Sequence, residues 1–170
     1  YRISPYLSVP SFRLLQRVVG SRVESAFDGS EAHALGAWLP ELEFTHYLPT
    51  THWKDLMHSC TYLVSVSGNC LASLPYAKAN RPFVAWVASP WHADRKDRVK
   101  FFPWYRKLLD AAFNANIIKR TEKQILKKGT ILPLSQYTRH ELNSLAGCAI
   151  ANEVLPMPVN TDLFSPDDKA

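Results

Sequence analysis

No run of eighteen apolar residues occurs in this 170-residue chain, so no segment reads as a membrane-spanning helix. The opening Tyr1-Arg2-Ile3-Ser4-Pro5 lacks the basic-then-apolar layout of a secretory signal. It also lacks an initiator Met, and the expectation is a piece of a longer protein. Cysteine is scarce and odd in number, at Cys60, Cys70 and Cys148, with no C-x-x-C pair. That argues against a disulfide framework and against a structural zinc site. No N-x-[ST] acceptor is present either, and a reducing cytoplasm is the simplest compartment. Neither G-x-x-x-x-G-K-[ST] nor G-x-G-x-x-G occurs, which ranks a stand-alone nucleotide or phosphate binder low.

What is present is a core. The chain is 46% hydrophobic and holds five Trp, seven Tyr and eight Phe, enough for one folded domain rather than a disordered segment. Its net charge of +5 is uneven. Residues 95–128 carry eleven Lys and Arg against three Asp and Glu, a local +8, which leaves the remainder at −3. The basic character therefore belongs to one stretch.

Periodicity suggests alternating elements. A short strand is expected over 41–47. A helix capped by Thr50 or Thr51 follows, with Trp53, Leu56, Met57 and Cys60 on one face. A strand over 62–66 stops at Ser67-Gly68-Asn69, and a short helix over 70–79 is broken by Asn80-Arg81-Pro82. Residues 83–88 carry no charge and read as a strand covered on both faces. A helical segment is expected over 104–128, with Gly129 as its left-handed cap. Then come a strand over 130–134, a helix with Thr138-x-x-Glu141 as a capping box, and a last strand at Val154-Leu155. In the first forty residues, a strand over 1–7 and helices over 12–19 and 31–39 are expected. The order implies an α/β, Rossmann-like three-layer domain: a mainly parallel sheet with helices on both faces.

Two segments carry a family likeness. One is Thr130-Ile131-Leu132-Pro133-Leu134-Ser135 and the helix bearing Glu141 and Leu142. The other is Glu153-Val154-Leu155-Pro156-Met157-Pro158-Val159-Asn160-Thr161-Asp162-Leu163-Phe164-Ser165-Pro166. Together they resemble the domain junction of family-four retaining glycosyltransferases of the GT-B fold. There a strand ending in Ser precedes a helix, a short strand and a linker of the form P-x-G-V-D-x-x-x-F-x-P. Pro158 stands in place of the usual Gly and Asn160 in place of the usual Asp. The Gly-Gly loop usual after the first strand of that family is missing. The resemblance implies an acceptor-side domain over 1–155 and an interdomain linker over 156–170. The linker would lead to an absent C-terminal domain that binds the nucleotide-diphosphate sugar. It further implies transfer with retention, no cofactor, no required metal, and no activity from this half alone.

Ligands of open α/β sheets bind at the carboxyl ends of the strands. That places Gly68 and Asn69, Ser89 and Trp91, and Ser135 and Arg139 as candidate acceptor contacts. Gly68 allows a close backbone approach, or is an ordinary turn. Ser135 is a ligand contact or a helix N-cap, and Arg139 meets an anionic acceptor or water. His92 is the catalytic candidate, because the resemblance implies a His near the reacting sugar, donating to a hydroxyl. Its bland alternative is a solvent-facing loop. His46, His52 and His58 lie six apart, which suits neither metal ligation nor one helix face. Glu41, Glu43 and Asp55 read as surface carboxylates.

The stretch Arg95, Lys96, Arg98, Lys100, Phe101, Phe102, Trp104, Arg106 and Lys107 mixes cations with rings. This suits peripheral docking on an anionic membrane surface, at the inner face, near a sugar or lipid-linked acceptor. The alternative is a solvated basic helix with its rings packed inward. The rival function is a basic α/β nucleic-acid-binding module, although no recognised RNA or DNA motif is present.

Overall fold

Two sheets divide the strands. The structure, a computed structural model, describes residues 2–10, 19–26, 28–40, 42–96, 98–150 and 153–158. All of the helix expected over 12–19 except Val19, and the tail from Val159 onward with Phe164, lie outside the described residues.

The first sheet has strand order β1-β3-β2, with β1 at Arg2–Ile3, β2 at Ser21–Ser25 and β3 at Glu31–Leu35. β1 runs parallel to β3, and β2 pairs with β3 antiparallel, so the helix expected over 31–39 is a strand. Its Glu, Ala and Leu favour helix, but the turn before it overrides them. Gly29 takes a left-handed φ of 80°. The Asp28 carboxylate accepts from Ser30 N–H at 3.0 Å and from its hydroxyl at 2.6 Å. These bonds hold the exposed Asp28 carboxyl below its usual range. The strand expected over 1–7 shrinks to two residues, followed by a 3₁₀ turn at Pro5–Leu7.

The strand expected over 41–47 is a 3₁₀ turn at Glu43–Thr45. Thr45 Oγ1 donates to the Leu39 and Leu42 carbonyls at 2.9 and 2.7 Å, offering the backbone an alternative to a ladder.

The second sheet is parallel, in the order β4-β5-β6: Val64–Ser67, Val84–Val87 and Thr130–Pro133. α1 at Thr51–Ser59 precedes it and buries Trp53 and Met57 with Leu56 half-buried, while Cys60, expected on the same face, is the exposed C-cap because the helix ends at Ser59. A 3₁₀ turn at Cys70–Ser73 leads into α2 at Leu74–Lys78. After β5 come α3 at Trp91–Arg95, a 3₁₀ turn at Arg98–Phe101 and α4 at Trp104–Leu109. A π-turn at Asp110–Asn114 joins α4 to α5 at Ala115–Leu126. α6 at Gln136–Ala146 follows β6.

α5 is the centre of the helical layer. It contacts α2, α3 and α6 and buries Ile118, Ile125 and Leu126 against the sheet side that carries Ala85, Val87 and Ile131. Each such side chain contributes roughly 1.5–3 kcal/mol on burial. Gly129 does not take the left-handed cap; Gly147 does, at φ 75°. Gly129 instead lies so close to the Phe83 ring that a Cβ would overlap it.

Helices cover one sheet face. On the other, Val64 and Val66 are exposed, and Val84, Trp86 and Leu132 are half-buried. The three-layer arrangement, and β5 as a strand covered on both sides, are therefore corrected to two layers among the described residues. The reason is handedness. Crossovers between parallel strands are right-handed, and the order β4-β5-β6 always advances the same way, so each connection lands on the same face. The segment Val154-Leu155 is not a sheet strand either. Leu155 N–H donates to the Pro133 carbonyl at 3.0 Å and the Trp86 indole donates to the Leu155 carbonyl at 2.7 Å. Pro156 and Pro158 have no N–H to extend a ladder.

Candidate functional site

The carboxyl ends of β4, β5 and β6 are laced together. Ser89 N–H donates to the Gly68 carbonyl at 2.8 Å, and Leu134 N–H donates to the Val87 carbonyl at 2.9 Å. Thr138 Oγ1 donates to the Ala88 carbonyl at 2.6 Å. Two recesses open beside this seam. The smaller, about 180 Å³, is an apolar groove lined by Val66, Gly68, Trp86, Leu134 and Met157 among others. The larger, about 570 Å³, lies between α3, α5 and α6 and has a mixed lining, with Trp91, Ala115 and Leu145 beside the polar His92, Lys119, Lys123, Glu141 and others, which make it the more polar of the two.

Within the larger recess, His92 Nε2 stands 3.7 Å from Glu141 Oε2, with about half of the His92 side chain exposed. Glu141 is therefore an intrahelical wall residue and not part of a capping box with Thr138. The cap of α6 is Ser135, whose Oγ accepts from Thr138 N–H at 3.1 Å. Ser135→Ala should cost about 1 kcal/mol in chemical denaturation. A loss below a few tenths of a kcal/mol would remove the capping role.

Glu122 is the unusual group of the site. It is 1% exposed, on the inward face of α5. It accepts the backbone N–H of Trp91 at 3.0 Å and the thiol of Cys70 at 3.6 Å. Burial pushes its carboxyl up to about 7, against the opposing pull of those two hydrogen bonds. The Cys70 thiol is pushed well up by its own burial and then by the Glu122 charge. Glu122 thus anchors the first residue of α3, next to His92.

A second anchor fixes the same helix. The Trp91 indole donates to Glu43 Oε1 at 2.6 Å. Arg95 pairs with Glu43 and, at 2.8 Å, with Asp110, and its guanidinium stacks over the Trp91 ring at 4.6 Å. Arg95 is therefore an internal ion-pair residue, and its assignment to a membrane-facing surface is corrected. Phe102 is half-buried between Arg95 at 5.2 Å and Arg106 at 4.4 Å, so it too is taken up by the fold.

The candidate residues are split by the structure. Trp91 and His92 line the polar recess and Gly68 lines the apolar groove. Asn69 Oδ1 accepts from Leu71 N–H at 3.1 Å, which caps the 3₁₀ turn. Ser89 belongs to the seam, and Arg139 is half-buried on the first turn of α6. Lys96, Lys100, Phe101, Trp104, Arg106 and Lys107 are exposed, and Arg98 begins a 3₁₀ turn. Sequence reasoning missed Glu122, Lys119 and Lys123. A signal for Glu122 was present: Ile118, Glu122 and Ile125 fall at i, i+4 and i+7, which puts a carboxylate in an apolar stripe. Among the described residues no group of His, Cys, Asp and Glu is placed to hold a metal ion. Nor is any helix among them long and apolar enough to cross a membrane. The chain matches no family model, no curated protein and no solved structure.

Proposed function

We propose that this chain is the acceptor-binding half of a glycosyltransferase that moves a sugar from a nucleotide-diphosphate sugar to an acceptor with retention. The observation that carries the reading is the polar recess beside the carboxyl end of β5. A histidine, two carboxylates and two lysines line it, a set suited to a hydroxyl-rich ligand. The tail resemblance supports it. In the reaction, the anomeric C–O bond to the diphosphate breaks and one to an acceptor hydroxyl oxygen forms. The hydroxyl proton departs with the nucleoside diphosphate. His92 contacts a sugar hydroxyl, with Glu141 beside it. The donor is held mainly by another domain, and no metal is required.

The test is NMR of the His92 ring and of the backbone amides of α3 and α6 during titration with a panel of simple hexoses, the amides giving the affinity in variants. A saturable shift, with the affinity lowered at least ~10-fold in His92→Ala, is expected for loss of one hydrogen bond to a polar ligand. No shift at any hexose concentration, or equal affinity in His92→Ala, removes the assignment. Sugar transfer by these 170 residues alone would overturn the half-site reading.

A further inference from the structure

The outer side of α4, the π-turn and α5 carries side chains that the fold does not use. Phe101, Trp104, Tyr105 and Leu108 are all more than half exposed, with Phe101 at 87% and Trp104 at 77%. Trp104, Tyr105 and Leu108 lie within one turn and a half of α4, with Trp104 and Leu108 four apart, and Phe101 stands just before it at the end of the 3₁₀ turn. The row continues through Phe113 and Ile117, also exposed. In a regular α-helix the five-residue step from Leu108 to Phe113 turns about 140° away. The π-turn at Asp110–Asn114 has more residues per turn and reduces that angle, which keeps Phe113 toward the same side as Leu108.

Charge is sorted along the same line. Lys96, Lys100, Arg106, Lys107 and Arg120 are exposed on the same stretch of chain. Among the described residues of 95–128 the acids are Asp110 and Glu122, and both are turned inward, at 6% and 1% exposure. Among the described residues, the outer surface of this stretch is therefore cationic without an exposed acid.

We infer that this face docks on an anionic lipid surface, with Phe101, Trp104 and Leu108 entering the headgroup–acyl boundary and the flanking Lys and Arg meeting lipid phosphates. Exposed aliphatic residues distinguish it from a nucleic-acid groove. Rings stack on bases, but Leu108 and Ile117 have no such partner, whereas both gain by entering an acyl boundary. Trp and Tyr at the rim suit headgroup depth. The helix also leads somewhere. Beyond the row, α5 lines the recess with Lys119 and Lys123, so a surface bound by α4 lies on the helical run that leads to His92. The docking inference stands without the glycosyl-transfer reading, and its test reads lipid binding alone.

The experiment is vesicle co-sedimentation of the chain with phosphatidylcholine alone and with phosphatidylcholine mixed with phosphatidylglycerol. The partition coefficient should rise at least ~10-fold with the anionic lipid and fall as salt is added. Trp104→Ser with Leu108→Ser should lower it ~10-fold or more. Lys96→Glu with Lys107→Glu should abolish the preference for anionic lipid. All four residues are exposed, and an unchanged circular dichroism spectrum checks the fold. A blue shift of fluorescence on binding, lost in Trp104→Phe, gives a second readout. Equal binding to both vesicles, no binding, or partitioning unchanged in the serine variant overturns the inference. So does salt-sensitive binding to single-stranded RNA with no vesicle binding.

Discussion

Arg95→Met should destabilise the chain by about 3–5 kcal/mol, the largest loss expected from any single substitution outside the apolar core. The Arg95 guanidinium is only 11% exposed and closes against two carboxylates, Glu43 and Asp110, with Asp110 nearly buried. Removing it leaves the Asp110 charge without this cation, with Asn114 Nδ2 still donating to its Oδ1 at 3.0 Å. It also removes the cation from the faces of Trp91 and Phe102. Met fills much of the volume, so the loss reports charge rather than a cavity. Arg95→Lys should recover little, since a point ammonium cannot serve two carboxylates and two ring faces from one plane. The measurement is the urea midpoint at constant slope. A loss of less than about 1 kcal/mol would show that water already screens the pairs. Adding Asp110→Asn to Arg95→Met should return part of the stability, because that charge is then gone.

Glu122→Gln should change how stability depends on pH. Glu122 titrates near 7 in the folded chain, against 4.5 for an ordinary glutamate. Between those values the folded chain holds a proton that the unfolded chain has released. Stability from this group is thus fully present below about 4.5, falls as pH rises, and is lost above about 7, for a total of about 3 kcal/mol. A neutral amide never bears the charge, and its carbonyl can still accept from Trp91 N–H. Glu122→Gln should therefore match the parent near pH 4 and exceed it at pH 8 by up to ~3 kcal/mol. The Cys70 thiol, which feels the Glu122 charge, is held up chiefly by its own burial, so over pH 4 to 8 the difference between the two curves reports Glu122. Parallel curves from pH 4 to 8 would sink the assignment. The site should respond as well: with Glu122 fixing the start of α3, the His92 ring resonance should move with a midpoint near 7 in the parent and lose that component in the variant.

Both predictions rest on residues whose roles were hard to read from their order. Arg95 stood in a run of cations and looked like its neighbours. It differs only because the 3₁₀ turn at 43–45 and the π-turn bring Glu43 and Asp110 to it, from 52 residues before and 15 after. Glu122 was more legible, as an acid in an apolar stripe. Its partners Trp91 and Cys70 lie 31 and 52 residues away, and no local pattern names them. His92 was legible because strand ends in α/β sheets collect ligands. Glu141 was noticed for a capping box it does not form, and its place beside His92 depends on how α6 packs.

The alternation of strands and helices from α1 to α6 was determined by the sequence itself. It is local: uncharged β-rich runs, turn residues at their ends and one-faced apolar spacing act over ten residues or fewer. The basic, ring-bearing surface was determined in the same way, because its residues are contiguous. Tertiary structure alone decided which face of the parallel sheet is covered. Strand order and crossover hand are global properties, and they put the β4–β5 and β5–β6 connections on one side. It also decided that Glu31–Leu35 pairs as a strand and that Arg95 turns inward. In both cases a partner distant in sequence outweighs local preference, since a strand needs a ladder and a buried charge needs its counter-charge.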